Sequence, residues 1–328
     1  MKIAEFDPST AVFRLTAFWA LSECGLGGIL HALKVPFSGL FLCGISVSIL
    51  TLILFYCKVN RAIFFQSLAT VLIIKFTLSP HSSLSSYFSV GFQGVVGYVI
   101  YRLFSFNYIT ILTTVLIAYF ETATHKIVTL TIFGGMTFWK SVSAFIDKLI
   151  PETFGIANSH GLQMALVFYY AIYVCAAFLI SIWLYSFLQK IKLLKFVPIS
   201  LTSLEEVKFE KTQKSNFKVI LILLIFLIPS CYLLYVGDSS SLFHYLLRTM
   251  ILLCVWYFMI NPLLQYFVNS FMSQKAVQHK SRIEELKLFF PVLKGILNYT
   301  WKNSQHKKGL NRIYYFITYL IINILSYK

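Results

Sequence analysis

Long apolar runs alternate with short polar connections along this chain. The runs fall at about 11–31, 37–57, 62–79, 84–103, 108–133 and 161–188, and after a polar gap at about 218–236 and 243–270. Each approaches the roughly 20 residues that a helix needs to cross a bilayer. The pattern therefore predicts an all-α, polytopic integral membrane protein of about eight transmembrane helices: a six-helix bundle, then a two-helix C-terminal region with amphipathic cytoplasmic helices. Composition agrees, since 58% of the 328 residues are hydrophobic and 12% are charged. A mean hydropathy of +0.75 lies well above that of a soluble domain. Glu5 and Asp7 precede the first run, which reads as a span rather than a cleaved signal.

The formal net charge of +16 changes the picture only through its distribution. Lys58 and Arg61 occupy the second connection, Arg102 closes the fourth run, and Lys190, Lys192 and Lys195 follow the sixth. These and the basic 275–312 segment fall on one side if the N-terminus is cytoplasmic, which predicts that both termini lie inside. Lys34, Lys126, Lys140 and Lys148 then lie at or near the outer face. Basic residues so placed suit contact with anionic membrane lipids and exclude a nucleic-acid groove. At 189–217 lysines and glutamates replace the apolar pattern. The expected division is a six-span unit at 1–188, a basic linker at 189–217, and a two-span region with a basic tail at 218–328.

Several polar residues interrupt the apolar runs. Glu23 lies in the outer half of the first run, beside Gly25, Gly27 and Gly28, with His31 just beyond it. A carboxylate at a membrane helix centre costs roughly 2.5–3.5 kcal/mol on insertion scales, so it demands a partner or a use. On the predicted topology Lys75, Gln93 and Glu121 fall on the same outer side, and His125 stands one turn from Glu121 on the same face. Either these groups line a cavity for an external solute, or Glu23 or Glu121 pairs with Lys75 to fix helix packing.

Small residues recur as well. Thr16, Ala20, Cys24 and Gly28 repeat every fourth position of the first run, and Gly91, Gly94 and Gly97 every third position of the fourth. Such ridges let helices approach closely; the first one is also a candidate docking surface for a partner. Phe138, Val142, Phe145, Ile146 and Leu149 predict an amphipathic helix in the outer loop before the sixth run. Ile283, Leu286, Phe289, Phe290, Leu293, Ile296 and Leu297 predict another in the tail, kinked or divided at Pro291. The run Ile313–Leu325 is short for a span and is expected in the interface or against a neighbour. The six cysteines are scattered without a Cys-x-x-Cys pair and read as buried hydrophobes, with no metal site and no cofactor expected. His-Glu-x-x-His, Gly-x-Ser-x-Gly, P-loop and aspartate-rich diphosphate motifs are absent from the sequence. The chain is accordingly expected not to be an enzyme and not to power transport alone.

Three segments carry a resemblance: His31-Ala-Leu-Lys-Val-Pro-Phe-Ser-Gly39, Lys75-Phe-Thr-Leu-Ser-Pro-His81 and Gly91-Phe-Gln-Gly94. Together with the compact first unit, they resemble the substrate-binding S component of bacterial energy-coupling-factor (ECF) vitamin transporters, over residues 1 to about 188. The resemblance implies a small vitamin-like solute held near the outer face of the cytoplasmic (inner) membrane. It also implies a transmembrane coupling subunit and an ABC-type ATPase as partners. In that family an alanine-x-x-x-alanine pattern on the first helix meets the coupling subunit; Thr16, Ala20, Cys24 and Gly28 match it in size but not in alanines. The C-terminal region is unaccounted for by the resemblance, and Ser281-Arg282-Ile283 is its nearest approach to an ATPase-docking arginine motif. Two other readings stay open: a membrane enzyme of lipid or isoprenoid metabolism with Glu121 and His125 as acid and base, and a membrane scaffold or assembly factor.

Overall fold

A computed structural model describes residues 8–27, 37–78, 84–154, 160–193, 239–255, 258–259, 262–263, 266 and 280–327. The described residues are helical almost throughout: α1 (Pro8–Leu21), α2 (Ser38–Tyr56), α3 (Arg61–Leu78), α4 (Leu84–Leu103), α5 (Tyr108–Phe154), α6 (Gly161–Leu193), α7 (Ser239–Val255), α8 (Lys280–Asn303) and α9 (Gly309–Ser326). A single π-helical turn, Ser22–Leu26, extends α1. Local chemistry sets several boundaries. The Asn60 side chain accepts from the Ile63 N–H and starts α3, and Asn107 accepts from the Thr110 N–H and starts α5. Asp147 accepts from the Gly161 N–H, 2.9 Å away, and so ties the far part of α5 to the first turn of α6.

The expected all-α class holds, but the eight spans do not. Among the described residues three helices are long and apolar enough to cross a membrane: Ser38–Tyr56, Arg61–Leu78 and Gly161–Ile191. The other runs fail for identifiable reasons. Only 14 residues of the first are regular α-helix, and Arg14 interrupts them. In α4, serines, tyrosines and Gln93 dilute the apolar residues, and Arg102 ends the run. Threonines, Glu121 and His125 do the same in α5, and α7 has 17 residues. The expected 218–236 span lies outside the described residues, as do most of the 189–217 linker and the amphipathic positions' neighbours at 155–159.

The helix expected at Phe138–Leu149 is present and is set off from the first part of α5 by a kink. Gly135 sits between the two parts with φ 61° and ψ −164°, a conformation open to glycine, and an added Cβ there would lie 2.9 Å from the Arg248 guanidinium of α7. The tail helix is also present, but undivided: α8 runs through Pro291, which lies on its exposed side. Its apolar stripe is buried at Ile283, Leu286, Phe290, Leu293 and Ile296. Residues Leu320, Ile321, Ile324 and Leu325 of α9 are buried too, so the short last run packs on neighbours.

Helix α1 is the hub, in contact with α2 and α3 on one side and with α8 and α9 on the other. Arg14 donates to the Leu325 carbonyl at 2.7 Å, and Phe13 meets Phe289 with ring centroids 6.0 Å apart. Trp183 of α6 donates to Thr318 of α9. One hydrophobic core thus joins residues before position 190 to the tail. Rings Phe55, Tyr101 and Phe106 draw together the end of the bundle that carries Lys58, Arg61 and Arg102. At the far side of α4 to α6, Val95, Val99, Ile109, Phe120, Phe168, Leu179 and Ile182 are exposed, an apolar surface that suits lipid.

Glycine explains the close packing of α4. A Cβ at Gly94 would stand 2.7 Å from Leu68 of α3, and one at Gly97 would stand 3.1 Å from Leu50 of α2, whereas Gly91 faces open space. Gly94→Ile should lower stability by about 1–3 kcal/mol through overpacking, while Gly91→Ala should not lower it at all. Thermal unfolding in detergent compares the two; equal losses would contradict the packing shown.

Candidate functional site

Glu23 lies in the π turn that extends α1 and is buried. Its carboxylate meets Lys75 of α3, with Nζ 2.6 Å from Oε2 and both side chains over nine-tenths buried. Ser46 of α2 donates to the other oxygen, Oε1, in a short hydrogen bond. Lys75 also donates to the Ser86 carbonyl of α4 at 3.4 Å and lies over the Tyr87 ring, 5.7 Å from its centroid. Four helical segments therefore meet at one ion pair. Each oxygen of Glu23 has a donor, and Lys75 has two acceptors, so the pair is closed on itself.

A second polar cluster lies beside it. Ser89 of α4 donates to Glu121 Oε2 at 2.7 Å, and Thr122 stands 3.5 Å from the same oxygen. Gln93 donates through Nε2 to Ser89 at 3.2 Å, to Thr122 at 3.4 Å and to Cys43 Sγ at 3.7 Å. Cys43 and Ser46 are three residues apart on α2, so the same face of that helix serves both clusters. Two acceptors are left over. Among the described residues Gln93 Oε1 and Glu121 Oε1 are buried without a hydrogen-bond partner. His125 Nδ1 is 4.0 Å from Glu121 Oε1, beyond hydrogen-bond range.

The residues singled out from sequence are thus distributed as follows. Glu23 and Lys75 are paired directly, which selects the Glu23 partner over Glu121. Gln93 and Glu121 are brought together through Ser89 and Thr122, and His125 borders them. His31 and Gly28 lie outside the described residues. Thr16 and Ala20 are buried within the bundle, and Cys24 is half-buried. Ser46, Cys43, Ser89 and Thr122 were not picked out by sequence reasoning. Serine and threonine in apolar helices usually bond their own backbone four residues back, as Ser48 and Thr51 do here. Only their register with Glu23 and Glu121 distinguishes them. Among the described residues no three His, Cys, Asp or Glu side chains converge as metal ligands.

Apolar helices of spanning length, a lipid-suited surface and polar groups sequestered inside define a multi-span α-helical membrane protein. Comparison of the chain with protein-family models, with curated proteins and with solved structures finds no match.

Lys75→Met leaves the Glu23 carboxylate buried without its cation and should cost about 3–5 kcal/mol. Ser46→Ala removes one donor and should cost about 1–3 kcal/mol. Both are read by thermal unfolding of the purified protein in detergent. A Lys75→Met variant as stable as the wild type would show that the pair contributes nothing.

Proposed function

We propose that this protein is a transport-associated, non-enzymatic membrane protein that binds a small polar solute at the Glu23–Glu121 end of its bundle. The observation that carries this reading is the surplus of buried acceptors at that end. Among the described residues Gln93 Oε1 and Glu121 Oε1 lack donors, so a solute bearing N–H or O–H groups would complete their hydrogen bonding. Glu121 and Gln93 are the contacting residues in this account, with His125 beside Glu121. The Glu23–Lys75 pair holds the helices around them. A vitamin-like solute and the ECF S-component relationship are the particular form of this proposal, supported by the three segments that resemble that family.

Charge supports an orientation. Lys58, Arg61 and Arg102 cluster at the opposite end of the bundle, and Lys190 ends the α6 span there beside Tyr314 of α9. By the positive-inside rule that end is cytoplasmic in the inner membrane, with both termini on its side, and the acceptor cluster faces outward. Energy would come from a coupling subunit and an ABC-type ATPase, with anionic lipids against the basic tail.

Native mass spectrometry of the protein extracted from its own membrane tests the reading. A co-purifying small molecule is expected, retained by Ser46→Ala and lost in Glu121→Ala. If no small molecule accompanies the wild-type protein, and none of a panel of vitamins shifts its melting, the solute-binding reading fails.

A further inference from the structure

The turn between α8 and α9 is cationic and aromatic, and no acid balances it. Lys302, Lys307, Lys308 and Arg312 fall close together, whereas no Asp or Glu follows Glu285 in the sequence. Among the described residues none of these four cations is in an ion pair. Arg312 is nevertheless held in place. Ser304, in the short 3-10 turn Ser304–His306, donates to the Trp301 carbonyl at 2.7 Å, and Arg312 Nε donates to the Ser304 hydroxyl at 3.5 Å. The guanidinium lies over the Trp301 ring, 4.3 Å from its centroid, and Phe316 meets the same ring edge-on. Its plane is therefore set by neighbours, while among the described residues its Nη groups have no acceptor. A guanidinium fork presented in this way matches two oxygens of a phosphodiester, and no carboxylate competes for it.

Depth identifies where such a phosphate would come from. Helix α6 is long and apolar enough to span, and Lys190 near its end donates to Tyr314 of α9 at 2.7 Å. Farther back along α6, Trp183 donates to Thr318 at 3.2 Å. Helix α9 thus starts level with the end of a spanning helix and runs beside it toward the apolar level. Trp301, Tyr314 and Tyr319 are exposed there, and these are the residue types that settle at headgroup depth. Ile313 and Ile317, one turn apart and following Arg312 round α9, are 56% and 37% exposed. A free phosphate or a nucleic acid would leave that apolar strip bare; a phospholipid covers the strip and the cations together.

We propose that the α8–α9 turn is a discrete seat for one anionic phospholipid: Arg312, positioned by Trp301 and Ser304, takes the phosphate, Lys307 and Lys308 add charge, and an acyl chain lies along Ile313 and Ile317. The lipid contact of the basic tail is thereby sharpened from a diffuse attraction to a stoichiometric ligand. Assignment to the inner leaflet rests on the orientation proposed above, whereas the seat itself needs no solute. A lipid held here would fasten α9 to the membrane beside α6, on the side where Arg14 of α1 binds the last turn of α9.

Native mass spectrometry of the full-length protein, delipidated in detergent and supplied with phosphatidylglycerol or phosphatidylcholine, tests the proposal. The wild type should retain one phosphatidylglycerol under collision conditions that strip phosphatidylcholine. Arg312→Gln should lower that retention by about tenfold, the loss of one charge-assisted contact. Lys287→Gln removes the same charge about 20 Å away along α8 and should retain the lipid as the wild type does. Thermal unfolding of the wild type is the second readout and needs no variant: phosphatidylglycerol should raise the melting temperature above that in phosphatidylcholine. Equal retention of the two lipids overturns the proposal, as does equal loss in both variants, which is diffuse attraction, or full retention in Arg312→Gln. A rise in melting produced equally by inorganic phosphate overturns it too, since the ligand would then be a free anion. Failure of the lipid seat leaves solute binding at the other end of the bundle untouched, and absence of a solute leaves the seat untouched.

Discussion

The ion pair between Glu23 and Lys75 is the constraint on which the rest of this bundle depends. A carboxylate and an ammonium placed in an apolar interior are each costly alone, and their attraction offsets that cost only when geometry and further hydrogen bonds are right. Here Glu23 meets Lys75 from the π turn that extends α1, Ser46 supplies the second donor, and Ser86 supplies a second acceptor for Lys75. Because those four groups come from α1, α2, α3 and α4, satisfying one pair fixes the relative depth and rotation of four segments. Packing between apolar helices in lipid lacks that directional information.

Around this fixed point the small residues set distances. Gly94 and Gly97 bring α4 against Leu68 and Leu50, and Gly44 leaves space that the Tyr119 hydroxyl fills, since a Cβ would lie 2.5 Å from it. The consequence is a polar interior enclosed at one end of the bundle. The second cluster, on Glu121 and Gln93, inherits its position from the first through the shared face of α2. The surroundings of the two acids differ for a structural reason: Glu23 has a cation in hydrogen-bond contact, and Glu121 has the Ser89 and Thr122 hydroxyls.

Helical class, the apolar core of α2, α3 and α6, and the amphipathic stripe of α8 were legible in the sequence because burial in a helix leaves a 3.6-residue signature. The number of spans was not. Hydropathy counts apolar residues without regard to what covers them, and α1 is apolar because it packs against protein. The tail likewise looked separable, although Arg14 and Trp183 bind its last helix. In the candidate site the costly residues Glu23, Lys75, Gln93 and Glu121 announced themselves by being polar in apolar runs. Which acid Lys75 pairs with did not, since partners 52 residues apart meet only once the approach of α3 to α1 is known. Pro291 misled because proline on an exposed helix face gives up one backbone hydrogen bond without ending the helix.

The most direct test of this account is a double-mutant cycle on Glu23→Gln and Lys75→Met, measured as unfolding free energies in detergent. If the pair organises the bundle, each single variant is strongly destabilised and the double variant recovers much of the loss, giving a coupling of at least about 2 kcal/mol. Additivity within about 0.5 kcal/mol would contradict it, because two residues that do not feel one another cannot hold four helices in register.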